Sequence, residues 1–575
     1  MLRMSHAINI YQIFTRLFRN DSGQNKKFGS ITENGVSKFN DFNDTALKAI
    51  HELGVTHVWY TGIIRHATCS SYKQYGIADS TPSIVKGRAG SPYAITDYYD
   101  VDPDLSVDVT KRMSEFENLV KRTHKNKLKV IIDFVPNHVA REYKSICKPR
   151  SVKDLGEKDD ILKQFDSHNN FYYLPYLTFE QPDGISFPYT KDSKTYKEYP
   201  AKATGNDSFS QKPSINDWYE TVKLNYGIDI QNNRTAHFDP IPDTWFKMRD
   251  ILLFWAKKNV DAFRCDMAEM VPVEFWEWAI TEVKQLHPHI IFIAEVYNPN
   301  EYTNYIHRGG FDYLYDKVGL YDIVRAITQE ECSAAEIANY WKSRDNTINH
   351  TMVRFMENHD EQRIASPQFA GDAFAGVPGM VLSGTMHSCP LMVYFGQEIG
   401  ETATDEEGFS GKDGRTTIFD YWNVKAYQKW VNKGTFDVSL LSTKQKELRT
   451  IYQKLFQARN EFEALKVGGF YDISYANYNS DINLDKIFAY VRHSAKQKLL
   501  IIVNFDKMNG YCLKLKLPEH LLEYIGMPVN ATYSSLDYFE GIMSICFTGI
   551  SAIKEGINME IKPKSALLFD ITDHI

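Results

Sequence analysis

Short runs of apolar, β-branched and aromatic residues recur along the chain, and most of them end in polar residues. They are "INIYQIF", "HVWYT", "KVIIDFV", "DAFRCD", "IIFIAEV", "FDYLYD", "VRFMENH" and "PLMVYFG". Between most of them lie stretches whose apolar positions repeat at the helical period, such as "FNDTALKAIHELG" and "PDTWFKMRDILLFWAKKN". Near-continuous apolar strands alternating with amphipathic helices predict a parallel sheet covered on both sides. Eight such units predict a closed (β/α)8 TIM barrel, whose functional groups gather at the C-terminal ends of the strands. The polar residues of this chain fall at those ends.

Two segments break the alternation. Residues 139–235 follow the third strand without a helix of the usual kind, too long for a plain loop, and predict a small lobe inserted over the barrel mouth. After the amphipathic "KELRTIYQKLFQARNEF" the pattern becomes all-β. "IFAYVRHS", "KLLIIVNF", "GYCLKLKL" and "SALLFDI" predict a C-terminal all-β sandwich domain. The expected division is therefore 1–138 with 236–465 as barrel, 139–235 as lobe and 466–575 as sandwich.

Composition narrows the function. A net charge of −7 and the lack of any basic run argue against a nucleic-acid partner. No window approaches the ~20 apolar residues of a membrane span. Seven scattered cysteines show no metal-ligand spacing and read as reduced. "MLRMSHAINIYQIF" lacks a continuous apolar signal core, so a cytoplasmic enzyme is expected. The 35 Tyr, 34 Phe and 9 Trp are mostly core residues, and a surplus would suit stacking on sugar rings.

Four strand ends carry the candidate chemistry. The third ends "DFVPNH" with Asp133, Asn137 and His138, and the fourth brings Arg264 and Asp266. The fifth contributes Glu295, and the seventh runs into Asn358, His359 and Asp360. Three carboxylates on one barrel mouth cannot all ionise freely, so at least one pKa should rise. Glycoside cleavage needs such a set: one carboxylate as nucleophile and one carboxylic acid as proton donor. A cation beside Asp266 is expected to hold it ionised and aimed. Asp133 reads better as a hydrogen-bonding residue of its loop than as a catalytic one. Glu398 reads as structural, and "FYYLPY" as lobe core.

At these residues the chain resembles the α-amylase family, glycoside hydrolase family 13. "DFVPNH", "FRCDMAEM", "EVYNP" and "ENHD" stand in the family's order, supported by "IYQIFTRLF", "SPYAITDYYDVDP" and "YFGQEIG". The resemblance covers about 1–465. It implies Asp266 as nucleophile, Glu295 as general acid/base and Asp360 as the carboxylate gripping sugar hydroxyls in the transition state. It also implies that Arg264, His138 and His359 surround the reacting sugar and that Tyr93 stacks beneath it. No organic cofactor is implied. Asn137 matches a calcium ligand and Asn225 falls near another, but Lys223 stands in "VKLNYG" where relatives carry an acid, and Glu269-Met270 stand where relatives have Lys-His. That loss of acidity argues against calcium. The function implied is a retaining α-amylase-type hydrolase of α-1,4 linkages in an α-glucan or maltooligosaccharide. A transglycosidase (4-α-glucanotransferase, trehalose synthase or sucrose-acting enzyme) would use the same residues. A non-catalytic glucan-binding protein would be expected to lack part of the carboxylate set.

Overall fold

The computed structural model describes residues 7–191, 194–343, 346–478 and 480–573. Eight parallel strands form one sheet: β1 (Asn9–Phe14), β2 (His57–Thr61), β3 (Lys129–Phe134), β4 (Ala262–Cys265), β5 (Ile291–Ala294), β6 (Tyr313–Tyr315), β7 (Met352–Val353) and β8 (Leu391–Tyr394). Neighbours in sequence are neighbours in the sheet, and β1 also pairs with β8. A parallel bridge from Arg354 to Leu391 brings β7 against β8 and closes the ring. The predicted barrel is present.

Period-two alternation decides which side chains face inward. Ile10, Trp59, Ile131, Ala262, Ile293, Tyr315, Val353 and Met392 come one from each strand and form a separate buried cluster, the barrel interior. The larger core lies between the strands and helices such as Asp243–Ala256 and Val273–Leu286, which bury Trp255 and Trp276. Two residues beyond the interior set, on the same parity and nearer the C-terminal mouth, come Gln12, Thr61, Asp133, Arg264 and Glu295. Asp266 follows Arg264 by two more.

β7 is shorter than "VRFMENH" predicts. Beyond Arg354 the chain leaves the sheet, and buried Glu357 binds Arg363 at 2.9 Å and the backbone N–H of Ile364 at 2.7 Å. The inserted segment has no α-helix among its described residues. Its strand His138–Ala140 pairs with Thr221–Lys223, and Tyr173–Leu174 pairs with Ala201–Lys202.

The C-terminal region has its own buried core, centred on a four-stranded antiparallel sheet. Two helices, Glu519–Tyr524 and Gly549–Lys554, interrupt its strands, so it is not purely β. The second starts at a Thr548 capping box, a local signal that its strand-rich surroundings mask. Arg492, wholly buried, fastens this region to the barrel by donating to the carbonyl of Thr385 at 2.7 Å. No described helix is long and apolar enough to cross a membrane.

Candidate active site

Arg264 stands at the centre of the barrel mouth, 1% exposed. Its Nη1 lies 2.7 Å from Asp266 Oδ1 and its Nη2 lies 2.7 Å from Glu295 Oε2. Asp133 Oδ1 is 3.4 Å away on the far side of Nη1. The guanidinium is boxed by the rings of Trp59, Tyr93 and Tyr315, with centroids 5.3–5.5 Å from its central carbon. Such packing favours the cation and fixes its plane. Asp133 accepts hydrogen bonds from Trp59 Nε1 at 3.0 Å and from the backbone of Gly62, in the turn after β2.

One expectation changes here. The arginine does not serve Asp266 alone but is shared with Glu295. Burial pushes Asp266 well above the usual carboxylate range, with Glu295 and Asp133 pushing the same way against Arg264. Asp133 is likewise raised to about 6, chiefly by burial. Asp360 is raised to about 7 by burial and then by Glu295, although 41% of its side chain stays open to solvent. One cation among several carboxylates leaves the cluster short of positive charge.

Glu295 has two further donors, the N–H of Met267 on Oε2 at 2.8 Å and the hydroxyl of Tyr297 on Oε1 at 2.5 Å. Met267 adopts a left-handed conformation (φ 44°), uncommon for a residue with a side chain. That turn, directly after Asp266, aims its N–H at the second carboxylate. Glu269 in turn accepts the N–H groups of Tyr297 and Asn298, both at 2.9 Å, and so anchors the loop after β5.

The rest of the mouth is organised around His359. Gln12 Nε2 donates to its Nδ1 at 2.8 Å, which places the imidazole proton on Nε2, between the Tyr93 hydroxyl (2.5 Å) and Asp360 Oδ2 (3.1 Å). Burial and Arg264 hold its pKa far below the usual value, so the ring is neutral. Tyr93 and His359 lie side by side, with centroids 5.4 Å apart and planes tilted by 33°. Asn358 accepts the N–H groups of Asp360 and Glu361 and fixes that turn. His138 is held by Asn137 at 3.1 Å and kept neutral, its pKa pushed down to about 3 by burial and then by Lys223. A Cβ on Gly205 would press on its side chain.

The donors around Asn137 do not suit calcium. Lys223 brings its ammonium within 2.5 Å of Asn137 Oδ1, 2.8 Å of Asp207 Oδ1 and 3.5 Å of the Met270 carbonyl. Calcium needs six to eight oxygens at about 2.3–2.6 Å, and a buried ammonium among these oxygens repels a second cation. Asn225 is committed elsewhere, donating to the Asp166 carbonyl and accepting from Gly227.

Gln12, Trp59, Tyr297 and Tyr315 escaped the sequence reading. Gln12 did leave a signal: a polar residue inside an otherwise apolar strand, here wholly buried. Tyr297 sits in the quoted "EVYNP". Glu398 is structural, accepting from Tyr11 and Arg449, and Phe171 to Leu174 are buried in the lobe.

An eight-stranded barrel whose mouth gathers three carboxylates about one arginine defines a class of carbohydrate-active barrel. Residues 12–468 match the family model for the α-amylase catalytic domain, and the chain belongs to the α-amylase family. It is 23% identical over 535 residues to an α-1,4-glucan:maltose-1-phosphate maltosyltransferase of Picrophilus torridus, covering 92% of this chain and 64% of that protein. It is also 23% identical over 456 residues to α-amylase 3 of Dictyoglomus thermophilum, covering 75% and 78%. Among solved structures, the maltogenic α-amylase AmyB of Thermotoga neapolitana shares the fold along both whole chains, with TM-score 0.63 and 17% identity.

Proposed function

We propose that this protein is a retaining hydrolase of α-1,4-glucosidic bonds in α-glucans or maltooligosaccharides. The observation that carries the reading is the bridging of Asp266 and Glu295 by adjacent nitrogens of Arg264. Placement on one guanidinium suits the ~5–5.5 Å carboxyl separation of retaining enzymes, not the ~6.5–9.5 Å that leaves room for water. Asp266 attacks the anomeric carbon and forms a β-linked glycosyl-enzyme while Glu295 protonates the departing oxygen. Glu295 then takes a proton from water, which attacks the same carbon and returns the α-anomer. Tyr93 and His359 support the sugar ring, His138 and Asp360 bind its hydroxyls, and Arg264 holds both carboxylates in place. The barrel and catalytic set occupy 1–138 and 236–465, the lobe 139–235 and the sandwich 466–575. Seven unpaired cysteines, three of them exposed, suit a reducing compartment such as the cytoplasm.

Glu295→Ala separates the roles. Starch cleavage should nearly vanish, whereas an α-maltosyl fluoride, whose leaving group needs little protonation, should still give a burst. Azide should rescue turnover as an α-glycosyl azide. A β-configured azide, or no burst, would refute the assignment. The maltosyltransferase relative, matched over 92% of this chain, favours a second reading in which a sugar hydroxyl replaces water. Product analysis on maltoheptaose with and without added maltose decides between them: longer saccharides formed at the expense of hydrolysis mark a transferase.

A further inference from the structure

The two sides of the catalytic centre are built differently, and the difference bears on where along a glucan the enzyme cuts. The leaving sugar departs toward Glu295, so the acceptor side lies with Tyr297, Glu269 and Asn298, on the loops after β4 and β5. The sugar that Asp266 captures lies on the opposite side, over Tyr93 and His359. Tyr93 lies on the loop after β2, which neighbours β1 and then β8 in the ring, so this donor side continues toward the loops after those strands. A chain bound there carries its non-reducing end outward on that side.

Aromatic rings from two of those loops meet rings of the inserted lobe. Phe28 follows β1, Phe409 and Phe419 follow β8, and Phe187 and Tyr189 reach across from the inserted lobe. Phe187 and Tyr189 stack at 5.4 Å with planes 3° apart, and Phe187 meets Phe409 at 5.3 Å. Phe28 lies 6.1 Å from both lobe rings, and Phe409 lies 4.9 Å from Phe419. Polar contacts seal the seam. The Tyr189 hydroxyl accepts the N–H of Gly87 at 3.0 Å, Ala89 N–H donates to the Phe419 carbonyl at 3.0 Å, and Lys27 pairs with Glu406. Gly87 (φ +71°) is required there, because a Cβ would collide with the Phe419 carbonyl. The β2 loop runs on from this seam to a turn, Ser91 to Ala94, that carries Tyr93. Tyr93 stands four positions after Ala89, a span of at most ~14 Å even when extended, a length that holds only a few glucosyl units.

We infer that this aromatic wall closes the donor end of the cleft, so that the enzyme cuts near the non-reducing end of its α-glucan and releases short saccharides. The inference rests on the proposed hydrolase reading. The test uses the whole protein and two substrates, p-nitrophenyl α-maltoheptaoside and the same compound with its non-reducing end capped as a 4,6-O-benzylidene acetal. The uncapped substrate should be cleaved at least about tenfold faster. Phe187→Ala combined with Phe409→Ala should narrow that ratio at least severalfold. Equal cleavage of both substrates by the native enzyme would overturn the wall while leaving the hydrolase intact. Cleavage of neither would bring down the hydrolase reading and the inference with it. Should the double variant fail to fold, the native enzyme still decides by viscosity. Amylose should thin slowly for each reducing end formed, and rapid thinning at low conversion would refute end-directed action.

Discussion

Two buried cations lie at the barrel mouth, and each is surrounded by oxygen. Arg264 faces Asp266, Glu295 and Asp133. Lys223 faces Asp207, the neutral Asn137 amide and the Met270 carbonyl, with Arg234 also 3.4 Å from Asp207. The difference is charge balance. Around Arg264 carboxylates outnumber the cation, and the pKa values of Asp266 and Asp133 climb. Around Lys223 two cations, Lys223 and Arg234, share one carboxylate, Asp207, so negative charge does not accumulate and the ammonium serves as a fixed post between lobe and barrel. An excess of like charge is tolerated at a functional site because the chemistry uses it. A cluster without excess carboxylates holds a fold together.

The largest test of this contrast is Asp266→Asn. It should lower kcat by several orders of magnitude while leaving Tm unchanged or raised, because one of the competing charges is gone. Activity assays with a thermal melt check both halves. A large loss of Tm would make the Arg264 cluster structural after all.

Lys223→Met should do the reverse. Removing the ammonium leaves Asp207 with Arg234 alone and strips Asn137 Oδ1 of its buried donor, at a cost of about 1–3 kcal/mol. A marked fall in Tm is expected, with the remaining activity reduced through misplacement of His138. Melts of the native protein with and without a calcium chelator should coincide. A drop in Tm on chelation, restored by calcium, would show that the lysine does not supply the needed charge.

Asp133→Asn should give the smallest effect, seen in pH dependence. Its carboxyl is raised to about 6 in the folded protein, so the native state holds this proton longer than the unfolded chain does. Below about pH 4 both states are protonated, and stability is lost as pH rises through about 6. The amide removes that loss, so the variant should gain Tm relative to the native protein at pH 7 more than at pH 4. It also removes a like charge from beside Asp266. The acid limb of kcat/KM, where the nucleophile must ionise, should therefore move to lower pH by less than about one unit. An upward shift would mean that Asp133 aids ionisation of Asp266.

Much of this was legible in one dimension. The barrel could be read because each strand is a short apolar run of fixed parity, and parity alone carries Asp133, Arg264, Asp266 and Glu295 to one face at the C-terminal ends. His359 and Asp360 could be read from the run after β7, although that strand proved shorter than its apolar pattern. What the sequence could not determine are the contacts between distant segments. Lys223 reaches Asn137 across 86 residues, and Gln12 reaches His359 across 347. The ring box around Arg264 draws on β2, β6 and the loop carrying Tyr93, and the aromatic wall takes its rings from two barrel loops and the lobe. No local pattern announces such meetings, because burial and charge depend on which segments the closed barrel brings together. The chain by itself determined which groups reach the mouth. Only the tertiary structure decided that Arg264 is shared by two carboxylates and that an ammonium stands beside Asn137, since both follow from distances that folding alone sets.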